Sequence, residues 1–329
     1  MRSLEERTII VEDDNIEDLR RRFPNGLHFV VGDVHGQAAT LSNLMDKIHF
    51  NPDLDHVFFV GDYNAGGHIW SLMSYMSEYY QADYDKPGFH MIRGNHEREL
   101  WPIYELSNLP DLIVVRGKHL NFYIAHAGMV SSAFDLINKD MSCEPDRRVF
   151  AYRLEDNTCC MDGPLRQLVW SRKGLYSQRS HWHTWPSEEK LVRNNACIIH
   201  GHSPYCYFKK EDRYTYGYDN LFWANQHVWF CGELRSFNID SNIKGRHKNG
   251  ESYRGLSCIC MEVYDELPAT RNGLLTTDML LEAENGIFGV SIDHSWWTGD
   301  NRAPDTILNA VPEMKTIKLD SDGVSLVIA

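Results

Sequence analysis

The chain has 329 residues, of which 43% are hydrophobic and 24% charged, and a formal net charge of −13, a composition typical of globular proteins. The acidic balance argues against broad nucleic-acid binding and against docking on anionic membranes, since both need clustered lysine and arginine. No apolar run approaches the roughly 20 residues of a membrane helix, and residues 1–7 lack a signal-peptide pattern. The eight cysteines are interpreted as reduced thiols, so we expect a cytoplasmic protein.

Three apolar runs in the first hundred residues each end in a glycine turn that carries polar side chains. The runs and the turns that follow them are 27–31 with Gly-Asp-Val-His-Gly at 32–36, 57–60 with Gly-Asp at 61–62, and 90–92 with Arg-Gly-Asn-His-Glu at 93–97. Apolar residues at helical spacing in 41–48 and 69–76 predict helices between these strands. Strands that alternate with helices indicate a parallel or mixed sheet covered by helices.

Two later apolar runs end in histidine. Residues 122–125 lead into His126-Ala-Gly, and residues 196–199 lead into His200-Gly-His202. Each of the five runs therefore places a metal-capable side chain at the carboxyl end of a strand, the edge of an α/β sheet where ligands collect. The repetition predicts one shared site.

These five blocks, in this order, resemble the calcineurin-like metallophosphoesterases, and within them the bacterial and phage branch of the phosphoprotein phosphatases. The resemblance covers about residues 27–264. It implies a mixed α/β fold, a metallophosphatase-like two-sheet β-sandwich flanked by helices. We expect a catalytic domain over residues 1–264, with an aromatic insertion at about 204–232, and a C-terminal extension over 265–329 that packs on it.

The resemblance also implies a binuclear metal centre. Asp33 and His35 would bind one ion, Asp62 would bridge both, and the second ion would be held by three residues: Asn95, His126 and His202. The mixed nitrogen and oxygen ligands favour manganese, with iron or zinc as alternatives, over calcium.

Catalytic roles follow from the same resemblance. His96 would face the leaving group, and Arg172, in Trp170-Ser171-Arg172, matches a phosphate-binding arginine. Asn95 is a further expected substrate contact, and Arg93, which lies next to motif residues, could reach a phosphate or be an ordinary solvated charge. The implied reaction is attack on phosphorus by a metal-bridging hydroxide, with phosphate monoesters of serine or threonine in proteins as the first candidate substrate.

The second block departs from the family pattern. Residues 61–67 read Gly-Asp-Tyr-Asn-Ala-Gly-Gly, so Ala65 replaces the aspartate that orients the leaving-group histidine, and Gly66 replaces a phosphate-gripping arginine. Two alternatives therefore stay open. One is a hydrolase of nucleotide phosphoanhydrides of the dinucleoside polyphosphate type, and the other is a weakened enzyme that acts as a phosphate- or nucleotide-binding module.

The remaining segments carry weaker signals. His181 and His183 could form a third metal site or belong to a surface loop with aromatic anchors. Residues 236–240 and 256–264 are predicted to form a hairpin of the second sheet around a polar loop. Residues 287–292, 316–319 and 324–328 are predicted to be strands; these three ranges carry no motif.

Overall fold

The structure is a computed structural model that describes residues 13–64, 68–97, 106–156, 185–202, 221–223, 229–231, 235–241, 243, 255–266, 286–291, 314–320 and 323–327. Its described helices are α1 (Asp13–Arg22), α2 (Ala38–Lys47), α3 (Ile69–Tyr79), α4 (Ser131–Cys143), α5 (Glu188–Arg193) and α6 (Met261–Asp265). None of these helices combines the length and the apolar character needed to cross a membrane.

The strands are β1 (His28–Val31), β2 (His56–Phe59), β3 (Gly88–Met91), β4 (Leu112–Arg116), β5 (Asn121–Ala125), β6 (Val149–Asp156), β7 (Ala196–His200), β8 (Leu221–Trp223), β9 (Trp229–Cys231), β10 (Ser236–Asn238), β11 (Gly255–Cys260), β12 (Ile287–Ser291), β13 (Lys315–Asp320) and β14 (Gly323–Val327). Five form a sheet in the order β12-β11-β1-β2-β3, and nine form a second sheet in the order β14-β13-β6-β4-β5-β7-β10-β9-β8. The predicted two-sheet sandwich with flanking helices is confirmed.

The first sheet is built on two strand–helix–strand units, β1-α2-β2 and β2-α3-β3, whose strands pair in parallel. Along β1, successive side chains alternate between the two faces. Phe29 and Val31 contact the helix side, whereas Val30 lies in the layer between the sheets. The predicted apolar helix faces are also confirmed, because Leu41 and Leu72 are fully buried on the helix side. The parallel strands therefore end at one common edge.

The second sheet contributes two more parallel strand ends to the same region. Strand β5 pairs in parallel with β7, with Tyr123 opposite Ile198. Their inward-facing residues Ile124 and Ile199 pack in the layer between the sheets with Val30. Because burial of this layer fixes which residues face inward, it also fixes the register of the strand ends.

The predicted hairpin of residues 236–264 is wrong. Strand β10 belongs to the nine-stranded sheet and β11 to the five-stranded sheet, and α6 takes over from β11 at Met261. The two segments nevertheless meet between the sheets, where the hydroxyl groups of Ser241 and Ser257 are hydrogen-bonded. Both strands are buried at every position. Their sequences therefore lack the apolar–polar alternation that would indicate whether the two strands pair in one sheet or belong to different sheets.

The described residues from 286 onward supply strands to both sheets. Strand β12 pairs antiparallel with β11, and β13 pairs in parallel with β6. Strands β13 and β14 pair antiparallel, with Asp320 opposite Gly323. The ammonium of Lys315 bonds to the Asp140 carboxylate at 2.8 and 2.9 Å. The boundary of the catalytic domain at residue 264 stays a prediction.

The aromatic insertion at about 204–232 is described only in part. It contains β8 and β9, an antiparallel pair that ends the nine-stranded sheet next to β10. The rest of the insertion, and His181 and His183, lie outside the described residues.

Three stacked histidines cross the first sheet, where His28 and His56 are the first residues of β1 and β2 and His90 is the third residue of β3. The ring centroids of His28 and His56 are 4.7 Å apart, and those of His56 and His90 are 5.2 Å apart. Nδ1 of His56 lies 3.0 Å from Nε2 of His90. Burial, followed by the neighbouring His28, lowers the pKa of His56 to about 3. Burial, followed by the neighbouring His56, likewise lowers the pKa of His90 to about 3.

Candidate metal centre

The turn after β1 carries Asp33 and His35. Its first residue, Gly32, donates its N–H to the carbonyl of Ser257 at 3.0 Å, and a Cβ on Gly32 would lie 2.2 Å from the carbonyl oxygen of Ile239. His35 has a φ of 47°, a conformation that histidine adopts only where the surroundings enforce it. Its N–H donates to the carbonyl of Asp62 at 2.8 Å. The first two ligand turns are thus joined through their backbones.

The turn after β2 presents Asp62, and the turn after β3 presents Asn95 and His96. Asp62 also has a left-handed backbone, with a φ of 57°. Oδ1 of Asp62 accepts the N–H of His96 at 3.1 Å. A Cβ on Gly94 would lie 2.3 Å from Oδ1 of Asp62, so this close approach of the two turns requires glycine.

His126 and His202 follow β5 and β7 of the second sheet. Nδ1 of His126 lies 2.8 Å from the carbonyl oxygen of Val60, which identifies Nδ1 as the protonated nitrogen of the neutral ring and leaves Nε2 as a lone-pair donor. The backbone N–H of His202 donates to the Asp33 carboxylate at 3.0 Å. The two sheets are therefore linked by hydrogen bonds among the predicted ligands themselves.

The structure brings all six predicted metal ligands together and buries them. Two groups of side chains have ligand atoms within 4.8 Å of one another: Asp33, His35 and Asp62 form one, and Asp62, His126 and His202 form the other. Asp62 belongs to both groups. Asn95 adjoins the second group, since its Oδ1 lies 2.9 Å from Nε2 of His126.

The atoms that converge beside Asn95 fit a cation. Oδ1 of Asn95 is 2.9 Å from Nδ1 of His202, and Nε2 of His126 is 3.3 Å from Oδ1 of Asp62. With its amide turned round, Asn95 would donate hydrogen bonds to all three of these side chains; in the orientation present it offers them an oxygen. Oxygen and imidazole nitrogen together are suitable ligands for manganese, iron or zinc.

His96 lies at the margin of this cluster. Its ring contacts His35 edge to face, with centroids 5.5 Å apart, and its Nε2 is 3.7 Å from Oδ2 of Asp62. Its side chain is 18% exposed, against 1% for that of His126. Among the described histidines of the site, it is therefore the one that a bound molecule reaches most readily.

The predicted substrate-binding residues are described unevenly. Arg93 is buried and holds Asp111 with two hydrogen bonds, of 3.0 Å from Nε and 2.6 Å from Nη2, a geometry that already compensates its charge. Arg172 lies outside the described residues, as do Ala65 and Gly66. The role of Arg93 in substrate binding stays a prediction.

Glu97 is a site residue to which sequence reasoning assigned no role. Its carboxylate is 1% exposed and accepts backbone N–H groups from Asp62, Tyr63, Asn64 and Gly94. Burial, followed by the nearby Asp62 charge, raises the pKa of Glu97, and the N–H bonds of Asn64 and Gly94 oppose that rise. The only signal in the sequence was its place next to His96 in the third block.

Comparison with known proteins identifies the family of the chain. Residues 29–228 match the family model described as calcineurin-like phosphoesterase, which is more than half of the chain. The chain belongs to the calcineurin-like phosphoesterase family and is a phosphoester hydrolase. A comparison with curated protein sequences found no match.

Solved structures show more distant likenesses. One is a crystal structure of a candidate diadenosine tetraphosphatase, at 16% identity and a TM-score of 0.42, covering 84% of this chain and 96% of the other. Another is a protein serine/threonine phosphatase from Saccharomyces cerevisiae with similarity to human phosphatase PP5, at 12% identity and a TM-score of 0.43, covering 89% and 88%. Because both TM-scores are below 0.5, neither likeness bears on the substrate.

Proposed function

We propose that this protein hydrolyses phosphate monoesters at a pair of divalent ions, with phosphoserine and phosphothreonine in proteins as the first candidate substrates and Mn²⁺ as the first candidate metal. The observation that carries the proposal is the membership of Asp62 in both ligand groups. A carboxylate shared in this way fits two ions about 3.5–4 Å apart, the spacing used by binuclear phosphatases.

Two such ions, when bound, supply Lewis-acid charge at the phosphoryl oxygens and lower the pKa of bound water. The chain contributes the ligands and the local charge balance. Among the six ligands only Asp33 and Asp62 are carboxylates, so two negative charges would face four positive ones. A dianionic phosphate is therefore attracted to the site although the whole chain carries a formal charge of −13.

His96 is proposed as the general acid. Its Nε2 is 3.7 Å from the Asp62 carboxylate, so the ring lies at the edge of the proposed metal centre. A proton held at Nε2 would pass to the oxygen that leaves phosphorus. The partial exposure of the side chain supports this role, since a leaving group must reach it.

Phosphate binding is assigned to Arg172, with Asn95 and Arg93 as further contacts. The Asn95 amide, which offers its oxygen to a metal, retains N–H donors for a phosphoryl oxygen. The Arg93 guanidinium is already hydrogen-bonded to the Asp111 carboxylate, so Arg93 is proposed as the weakest of these three contacts.

A second candidate is hydrolysis of a nucleotide phosphoanhydride of the dinucleoside polyphosphate type. It is favoured by Ala65, which stands where the related phosphatases carry the aspartate that orients the acid histidine. A nucleotide is a better leaving group than a serine alkoxide and requires less help from an acid.

The test is a comparison of substrates at known metal occupancy. Metal-stripped protein would be reloaded with Mn²⁺ and assayed with an aryl phosphate, a phosphoserine peptide and a dinucleoside tetraphosphate. A higher kcat/KM on the peptide supports the monoester proposal, and a higher value on the dinucleotide replaces it with the second candidate. Inactivity on all three at full occupancy overturns both.

A further inference from the structure

We infer that Glu97 is a positioning residue that holds the shared carboxylate of Asp62 at the spacing needed for two metal ions. The inference rests on the proposed function, because it concerns the same metal centre. Glu97 itself is not in either group of ligands. Its effect on the metals would be exerted through the backbone of the turns that carry them.

The Glu97 carboxylate gathers four backbone N–H groups from two turns. Oε2 accepts from Asp62 at 2.9 Å and from Gly94 at 2.9 Å. Oε1 accepts from Tyr63 at 2.8 Å and from Asn64 at 3.0 Å. Three consecutive residues of the turn after β2 are therefore held by one side chain from the turn after β3.

A second contact runs in the opposite direction. Oδ1 of Asp62 accepts the N–H of His96 at 3.1 Å, so each turn supplies a carboxylate to the backbone of the other. A Cβ on Gly61 would lie 2.5 Å from the N atom of Gly94, which shows how closely the two backbones approach. Rotation or displacement of the Asp62 turn would break bonds on both sides.

The Asp62 backbone needs this restraint. Its φ of 57° is uncommon for a residue other than glycine and persists where surrounding contacts enforce it. Since Glu97 is buried, water does not reach the backbone N–H groups that it accepts from and cannot replace its oxygens as acceptors. Hydrogen-bonded partners of this kind typically change metal affinity 10- to 100-fold when they are removed.

The decisive variant is Glu97→Gln, which keeps the shape of the side chain. An amide has one acceptor oxygen, so two of the four backbone N–H groups would face an NH₂ group instead. Glu97→Asp is the second variant, since it keeps the charge but shortens the reach by one methylene. We expect both variants to bind Mn²⁺ about 10- to 100-fold more weakly than the wild type at the two sites that share Asp62. The loss of affinity should be larger for Glu97→Gln.

The matched control is Asp55→Asn. Asp55 is also a fully buried carboxylate that accepts backbone N–H groups, from Leu27 at 2.9 Å and Asn51 at 2.8 Å. It precedes β2, whereas the Asp62 turn follows it. Loss of this carboxylate should lower the melting temperature but leave Mn²⁺ affinity within twofold of the wild-type value.

The readouts are Mn²⁺ stoichiometry and affinity by equilibrium dialysis, the exchange-coupled EPR signal of two neighbouring Mn²⁺ ions, and thermal unfolding without metal. The inference is supported if the Glu97 variants bind Mn²⁺ weakly and lose the coupled EPR signal. Their melting temperature without metal should be no lower than that of Asp55→Asn. Wild-type Mn²⁺ binding in Glu97→Gln overturns it; if that variant does not fold, wild-type binding in Glu97→Asp does so.

These outcomes separate the inference from the proposed reaction. If the wild-type protein binds two Mn²⁺ ions, loses them through Glu97→Gln, but hydrolyses no phosphate ester, the proposed reaction fails and the positioning role stands. If the wild-type protein is active and Glu97→Gln binds Mn²⁺ equally well, only the positioning role fails. A wild-type protein that binds no Mn²⁺, Fe²⁺ or Zn²⁺ overturns both.

Discussion

The carboxylate of Asp33 occupies the space beside Gly201 that a side chain would need. A Cβ on Gly201 would lie 1.8 Å from Oδ1 of Asp33, and the next residue, His202, donates its N–H to that same carboxylate. The absence of a side chain at residue 201 thus lets the turn after β7 close onto the turn after β1, across the two sheets.

Gly201→Ala should therefore displace Asp33 and weaken metal binding. We expect an Mn²⁺ affinity at least about 10-fold lower, measured by equilibrium dialysis, since the contact is with a ligand. Gly117→Ala is the matched control, because its Cβ would lie 2.7 Å from Oδ1 of Asp265 at the turn between β4 and β5. Equal Mn²⁺ affinity in Gly201→Ala and the wild type would show that the Asp33 carboxylate can move aside without weakening metal binding.

Asp62→Ala and Asp33→Ala should differ in how many ions they release. Asp33 belongs to one ligand group and Asp62 to both, so we expect Asp33→Ala to retain one Mn²⁺ per chain and Asp62→Ala to weaken both sites. Each variant should lose more than about 100-fold in kcat/KM, since a metal ligand is removed directly. Metal analysis after dialysis measures the stoichiometry, and one tightly bound ion in Asp62→Ala would contradict the shared role.

His96→Asn should impair hydrolysis according to the leaving group. A general acid contributes about 10²- to 10⁴-fold when the leaving oxygen is basic. We therefore expect a large fall in kcat with a phosphoserine peptide and a smaller one with an aryl phosphate. Mn²⁺ affinity should be unchanged, since the His96 ring is in neither ligand group. Equal losses on the two substrates would argue for a binding role instead.

The stacked histidines predict that acid destabilises the fold. The unfolded-state pKa of histidine is about 6.5, and burial lowers the folded-state pKa of His56 and His90 to about 3. Between these values the unfolded state binds more protons, so stability falls as pH falls, by about 1.4 kcal/mol per pH unit for each histidine that stays neutral in the folded state. Urea unfolding between pH 7 and 5 measures this slope.

His90→Phe should flatten that slope, whereas His119→Gln, at an exposed histidine, should not. Other charged and titratable groups contact the stacked histidines and also contribute to the pH dependence. His28 is paired with Glu262 at 2.5 Å and approached by Arg148 at 3.4 Å, and the Tyr84 ring lies 5.1 Å from His90. An unchanged slope in His90→Phe would mean that other groups govern the acid sensitivity.

The strand ends of the site could be predicted from sequence because each follows the same local rule. A buried strand reads as an apolar run, and a glycine turn followed by aspartate, asparagine or histidine marks the end where ligands collect. The structure brings Asp33, His126 and the other predicted ligands together as that rule implies. What made the prediction possible was repetition over five strands.

The contacts that hold the ligands in place could not be predicted in the same way. Asp33 meets Gly201 across 168 positions of the chain, and the carboxylate of Glu97 reaches back to the turn of Asp62. The first contact depends on how the two sheets face each other and the second on how two neighbouring turns of one sheet approach, and local pattern encodes neither. The wrong hairpin of 236–264 has the same origin, because β10 and β11 are buried at every position and carry no alternation to identify their sheet.

The placement of β12 and β13 has a practical consequence for shortened versions of the protein. Each covers the outer side of a strand that precedes residue 265, β12 on β11 and β13 on β6. A chain cut after residue 264 would leave two rows of backbone amides and carbonyls open to strands from neighbouring molecules. Such a fragment is expected to self-associate on expression, even though it would retain every predicted metal ligand.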